Sequence, residues 1–264
     1  MTNNYAYYRI SDNSRNSAIS FHLKLKILQN FITIFDKFNV IIIADNCSIE
    51  LINNIKLLKN EVYYTNLGNT KSFKFCLNLA LKKNKDNDII YFIEDDYYFS
   101  KEAQSKLFEG IRYFDYVSLY EHPDKIYSVE YNKLKLSEFT FDQFSENLRL
   151  ININNEIWRT TSSTTMTFCT KFNIIKSDYK WWYIITGNNS LPLDKRCWIF
   201  LTRPFLLPNK KNLLFSLKLL LFNLFSFFFQ RKRLLGIPLM KSYSIHLDKS
   251  IEIKKFNAYL NEYL

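Results

Sequence analysis

Ile89-Ile90-Tyr91-Phe92-Ile93-Glu94-Asp95-Asp96 is the stretch on which the fold turns. Five apolar residues in a row, three of them β-branched, read as a strand buried on both faces, as in parallel sheets. The strand runs straight into three carboxylates, which repel one another unless positive charge sits among them. A divalent cation with a preference for oxygen relieves that repulsion. If strand geometry persists, Glu94 and Asp96 point one way and Asp95 the other. One acid then meets metal while its neighbour accepts from a hydroxyl. The bland alternative is a solvated loop at a strand end.

Around this stretch, strand and helix signals alternate. Strands are predicted at Tyr5 to Ile10, Val40 to Ala44, Glu61 to Thr65 and Asp88 to Ile93. Helices are predicted from Ser17 to Phe38, from Ile49 to Leu58, and from a cap at Thr70 to Lys83. Downstream come a helix from about Lys101 to Phe114, a strand at Tyr116 to Tyr120, and the β-prone, hydroxyl-rich run Trp158 to Phe168. After Asp194 the pattern is helical, Leu213 to Phe229 is strongly apolar, and a short strand falls at Tyr243 to His246. Such alternation predicts an α/β fold, its parallel sheet flanked by helices, with ligands beyond the carboxyl ends of the strands. Ser11, Asp12, Asp45 and Asn46 follow strands at that edge, beside the acidic triplet.

Composition narrows the chemistry. With 264 residues, 47% hydrophobic and 17% aromatic, the chain is globular rather than disordered. Its four cysteines form no CxxC pair, which excludes a zinc knuckle or thioredoxin-like motif. No apolar signal segment follows Met1, so a cytoplasmic location is expected. The four glycines, Gly68, Gly110, Gly187 and Gly236, are too far apart for a P-loop or dinucleotide turn. A protein that handles phosphates without such a loop needs another source of positive charge, and a bound cation supplies it.

Tyr91-Phe92-Ile93-Glu94-Asp95-Asp96-Tyr97 resembles the DxD segment of GT-A glycosyltransferases, with Glu94 in the first acidic place. Further segments resemble the bacterial family 2-like group. They are Tyr8 to Asp12, Ile43 to Cys47, Leu67 to Asn69, Ser118 to Pro123 and Trp158 to Phe168, spread over roughly residues 5 to 170. The resemblance implies a GT-A fold (Rossmann-like, mixed sheet) and a nucleotide-sugar donor held through Mn²⁺ or Mg²⁺. It makes Asp96 a metal ligand, with Glu94 and a late histidine, His246, as further ligands. Asp95 would hold metal or ribose, Asp45 the base or ribose, and Ser11 and Asp12 would line the nucleotide pocket. Glu94 in place of Asp departs from the family pattern.

An inverting enzyme of this type needs a carboxylate to take the acceptor proton, at the start of a helix beyond the acceptor loop. Asp194 in Ser190-Leu191-Pro192-Leu193-Asp194 has that position, though a plain helix N-cap explains it equally well, and Asp178 and Glu156 are rivals. His122 would border donor sugar or acceptor. Trp158, Arg159, Trp181 and Trp182 are candidates for a sugar platform, with core packing as the alternative.

The net charge of +11 is unevenly placed. Lys195 to Leu247 holds ten Lys or Arg and no acid, leaving 26 basic against 25 acidic residues elsewhere. Within it, Leu213 to Phe229 is too short and interrupted for a spanning helix. Asn212, Ser216, Asn223, Ser226 and Gln230 form a polar stripe opposite Leu and Phe, between Lys210-Lys211 and Arg231-Lys232-Arg233. That pattern predicts an amphipathic helix lying on an anionic membrane surface, with a buried core helix as the alternative.

The chain therefore divides into a catalytic domain at 1–204, with nucleotide-binding and acceptor parts at about 1–100 and 101–204, a membrane-associating segment at 205–240, and a return strand and helix at 241–264. The expected function is transfer of a sugar to a glycan or lipid-linked acceptor at the inner membrane face, in surface polysaccharide synthesis. A nucleotidyltransferase on a similar sheet is the first alternative, although residues 1–20 lack glycine. A nucleic-acid-binding module is disfavoured, because its basic residues should interleave with polar and aromatic groups on an exposed face.

Overall fold

The computed structural model describes residues 3–12, 19–121, 149–204, 213–239 and 241–247. Four parallel strands lie side by side: β1 (Asn4–Ile10), β2 (Asn39–Asp45), β3 (Glu61–Thr65) and β4 (Ile89–Glu94), in the order β3-β2-β1-β4. The sheet continues past β4 through β9 (Phe168–Lys171), β6 (Tyr116–Val117), β10 (Leu235–Pro238), β8 (Glu156–Thr161) and β7 (Leu150–Ile153). β9 is antiparallel to β4 and β6, and β8 to β10 and β7, so the nine-stranded sheet is mixed.

Helices cover both faces. α1 (Phe21–Ile34), α2 (Ile49–Lys56) and α4 (Ala103–Gly110) pack over one, where Tyr91 and Ile93 of β4 meet Phe31, Phe35 and Leu107. α3 (Asn69–Lys83), α5 (Phe172–Ile185) and α6 (Asp194–Thr202) cover the other, where Ile90 and Phe92 meet Phe73, Trp182 and Trp198. The unbroken apolar run of β4 is thus used residue by residue on alternate faces. α7 (Leu213–Phe229) lies against α6. A two-stranded sheet pairs β5 (Tyr97–Phe99) with β11 (Ser244–His246).

Several boundaries differ from the sequence reading for local reasons. α1 begins at Phe21 because the Ser20 hydroxyl accepts from the Leu23 amide. Thr70 is not the cap of α3. Gly68, at φ 80°, holds that position, and Thr70 is buried as the second residue of the helix. β6 ends at Val117, and the Trp158–Phe168 run splits between β8 and β9. α5, which carries Trp181 and Trp182, is an element the periodicity did not predict. β10 lies between β6 and β8, so the 205–240 stretch contributes a strand to the main sheet instead of standing apart from it. The C-terminal helix expected within 241–264 falls outside the described residues.

Candidate functional site

The carboxyl ends of β1, β2 and β4 form one edge, and the charged residues gather there. Arg9 on β1 is paired in register with Glu94 on β4, and its guanidinium lies 3.1 Å from the Glu94 carboxylate. The same guanidinium donates to the Asn69 carbonyl at 3.0 Å and side-chain oxygen at 2.6 Å, tying β1 to the start of α3. β4 ends at Glu94, and Asp95-Asp96 form the turn into β5. The strand alternation therefore stops before the last two acids, and each of the three takes a different partner.

Asp95 accepts from the Ser11 amide at 2.7 Å and from Lys24 at 2.7 Å. Lys24 also donates to the Ser11 carbonyl. Asp95 therefore fixes the loop that leaves β1. Burial pushes its carboxyl above the ordinary range, against the pull of Lys24. Lys24 stands on the buried face of α1, in line with Ile27, Leu28 and Phe31. A lysine within that apolar stripe was the one signal in the sequence that could have identified it. Arg9 has the same kind of signal, a charge at the end of a buried aromatic strand.

Asp96 meets β11. His246 Nε2 lies 3.0 Å from Asp96 Oδ2, and the Leu247 amide donates to the Asp96 carbonyl at 2.7 Å. The His246 ring stacks on Tyr97, with centroids 4.7 Å apart. Asp96 Oδ1 is buried and, among the described residues, receives no hydrogen bond. Among the described residues no group of three His, Cys, Asp or Glu is placed to hold a metal. The expected trio of Glu94, Asp96 and His246 is therefore corrected to a pair, because Arg9 takes the Glu94 carboxylate. An orphaned carboxylate oxygen beside an imidazole fits Mg²⁺ or Mn²⁺, which commonly keeps few protein ligands and fills its shell with phosphate oxygens and water.

Asp194 reaches the same cluster from the opposite face of the sheet. It is the first residue of α6, and Leu193 occupies the cap position, so the N-cap reading does not hold. Its carboxylate accepts from the Lys195 amide at 2.8 Å. Burial raises its pKa, opposed by that amide, Arg9 and Lys195. Glu94 is pushed up to about 7, first by burial, with Asp96 and Asp194 adding to the rise and Arg9 and His246 opposing it. Glu94, Asp96, Asp194, His246 and Arg9 thus form one electrostatically coupled group, a pattern typical of functional sites.

The rival bases are occupied elsewhere. Asp178, fully buried, is held by Arg233 at 2.6 and 2.8 Å and by the Tyr116 hydroxyl at 2.7 Å. Glu156 pairs with Lys106 at 3.0 Å and accepts from the Tyr243 hydroxyl.

Other expected site residues take structural roles. Asp45 receives four donors: Thr65 and the Leu67 amide on Oδ1, the Gly68 amide and Asn46 on Oδ2. Its acceptor sites are used in holding the β3–α3 turn, which corrects its assignment to the nucleotide. Asp12 accepts from the Ser48 amide at 2.8 Å and from the Ser48 hydroxyl, joining the end of β1 to the start of α2. Trp158 is fully buried against Phe114 and so is no sugar platform. Arg159 is buried beside Glu121 at 3.7 Å. Trp182 stacks on Phe168 in the core, and Trp181 packs on Phe200. His122 lies outside the described residues.

No family model matches the chain, and no curated protein matches its sequence. Solved structures do. Over 92% of this chain and 60% of the other, it resembles S. aureus TarS residues 1–349, with 12% identity and a TM-score of 0.50. Over 98% of this chain and 96% of the other, it resembles 4-diphosphocytidyl-2C-methyl-D-erythritol synthase from Anaerococcus prevotii, with 12% identity and a TM-score of 0.51. The chain shares with these two structures a GT-A-like fold, a mixed sheet flanked by helices.

Proposed function

We propose that the protein is a glycosyltransferase that moves a sugar from a nucleotide-sugar donor to a hydroxyl of a glycan or lipid-linked acceptor. The observation that carries this reading is that Asp194, from the start of α6, and the Asp96–His246 pair both lie close enough to Glu94, at the carboxyl edge of the sheet, to act on its charge. In the proposed step the acceptor oxygen attacks the anomeric carbon and gives its proton to Asp194. The bond from that carbon to the diphosphate breaks, and the nucleoside diphosphate departs with the electron pair. Burial raises the basicity of Asp194 toward the range a general base needs.

Asp96 and His246 would hold Mn²⁺ or Mg²⁺, which when bound neutralises the leaving diphosphate. Arg9 keeps Glu94 paired and Asn69 in place, so the floor of the site is fixed before the donor arrives. Lys24 and Asp95 hold the Ser11 loop at the nucleotide side. By this reading the protein acts at the inner face of the membrane, in polysaccharide synthesis. No helix among the described residues is long and apolar enough to cross a bilayer.

A nucleotidyltransferase is the second reading, since that fold fits it equally. A panel of nucleotide sugars and nucleoside triphosphates separates the two. Mn²⁺-dependent binding and hydrolysis of one nucleotide sugar supports transfer of sugar. Selective binding of a nucleoside triphosphate, with release of pyrophosphate, replaces that reading with the rival.

A further inference from the structure

α7 docks on the protein by its polar side. The Ser226 hydroxyl, fully buried, donates to the Phe200 carbonyl at 2.6 Å and accepts from Arg203 at 3.1 Å. Asn223 donates to the Pro204 carbonyl at 2.6 Å, and Gln230, just past the helix, reaches Asp178. The polar stripe is spent on anchoring the helix to the protein, and the Leu/Phe side is left outward. Phe228, Leu214 and Leu221 are 76, 68 and 67% exposed, and Leu217 and Phe225 continue the same surface. A contiguous apolar face of this size marks an interaction surface.

The face has a basic border. At the C-terminal end of α7 a small cavity is lined by Arg149, Arg203, Lys232 and Arg233, with the hydroxyl-bearing Thr161 and Thr202 among them. Arg203 lies over the ring of Phe227, 5.7 Å from its centroid, so cavity and apolar face adjoin. Arg233 is buried against Asp178, and Arg149 and Lys232 are solvent-exposed.

We propose that this composite surface is a docking site for an anionic phospholipid bilayer. The outward Leu and Phe side chains of α7 enter the acyl boundary, and the Arg149–Arg203–Lys232 cavity takes a headgroup phosphate. The proposal deepens the membrane part of the reading above and does not depend on the transfer chemistry. Charge selects the occupant. The stretch from Lys195 to Leu247 carries ten basic residues and no acid, so a second copy seated on the same face would set two basic rims against each other. An anionic bilayer offers both the apolar interior and the opposite charge.

Flotation of the full chain with vesicles of phosphatidylcholine, with and without phosphatidylglycerol, tests this. The wild type should bind the anionic vesicles, less strongly in salt but measurably. Leu221→Ser with Phe228→Ser should lower binding by about tenfold or more on both vesicle types. Arg149→Glu with Lys232→Glu should abolish the preference for phosphatidylglycerol, each reversal costing about fivefold or more. Thermal unfolding checks that these exposed substitutions leave the fold intact. Wild-type binding that both pairs of variants retain places the contact elsewhere and overturns the proposed surface alone. A wild type indifferent to both vesicles overturns the membrane reading with it. A concentration-dependent dimer in sedimentation, lost on Leu221→Ser with Phe228→Ser, assigns the face to a second copy instead.

Discussion

His246 Nε2 and Asp96 Oδ2 lie 3.0 Å apart although 150 positions separate them in the chain. Pairing of β11 with β5 sets His246 opposite Tyr97, the residue after the acid, and stacking on that ring holds the imidazole in place. Among the described residues the second Asp96 oxygen is buried without a hydrogen-bond donor, an expensive condition unless a cation occupies the space. Asp96→Ala is expected to abolish Mn²⁺-dependent binding of a nucleoside diphosphate while leaving the protein folded. His246→Ala should weaken it by about tenfold to a hundredfold. Calorimetry with and without Mn²⁺ measures both. Unchanged affinity in Asp96→Ala would remove the metal from the proposal.

Asp194 sits at the first position of α6, where its carboxylate accepts from the Lys195 amide. Asp194→Asn keeps the shape and that bond but cannot accept a proton. Transfer should fall by roughly 10²-fold or more while donor binding persists. The comparison to make is single-turnover rate against donor affinity. Near-normal turnover would return Asp194 to the status of a helix-terminal residue.

The main sheet was legible because each parallel strand is an apolar run ending in polar residues, and β4 shows this most clearly. That His246 lies beside Asp96 was not legible locally, since nothing in Ile245-His246-Leu247 points to Asp96. Pairings across the sheet were not legible. Asp45, Asp12 and Glu94 look like ligand residues in sequence, yet Gly68, Ser48 and Arg9 claim them once β1, β2 and β4 are neighbours. The polar stripe of α7 was legible from helical spacing, but the groups it would meet were not. Helical spacing tells which residues share a face, but what the face meets depends on Phe200 and Pro204, whose carbonyls need donors. Trp158 takes the core role that the sequence leaves open, because an aromatic in a strand gives no sign of which sheet face it fills.

Cysteine chemistry offers an independent check on the nucleotide side. Cys76, Cys169 and Cys197 are buried, and Cys47 is partly so, with its thiol 3.3 Å from the Ile10 carbonyl. Burial, with Asp12 and Asp95 nearby, pushes the Cys47 thiol up to about 12. At pH 8 it is almost wholly protonated, and only the thiolate reacts. A disulfide reagent should modify native Cys47 at least about 10²-fold more slowly than a free thiol, and all four cysteines promptly in denaturant. Fast labelling of the native protein would mean that the Asp12–Asp95 surroundings are more open than described.

Asp178 supplies the last test, because it separates architecture from catalysis. Its carboxylate is enclosed by Arg233, Tyr116 and Gln230, and Arg233 is itself only 4% exposed. Removing one member of a buried ion pair leaves the other charge desolvated without compensation. Asp115, 3.8 Å from Arg233, is too distant to replace it. Asp178→Ala is therefore expected to destabilise the fold by about 3–5 kcal/mol, a fall in Tm of roughly 10 °C for a chain of this size. Transfer measured per folded molecule below that temperature should remain near the wild-type rate. Scanning calorimetry and a rate normalised to active sites give the two numbers. A variant that melts normally but no longer transfers sugar would reverse the assignment, making Asp178 the base and Asp194 the bystander.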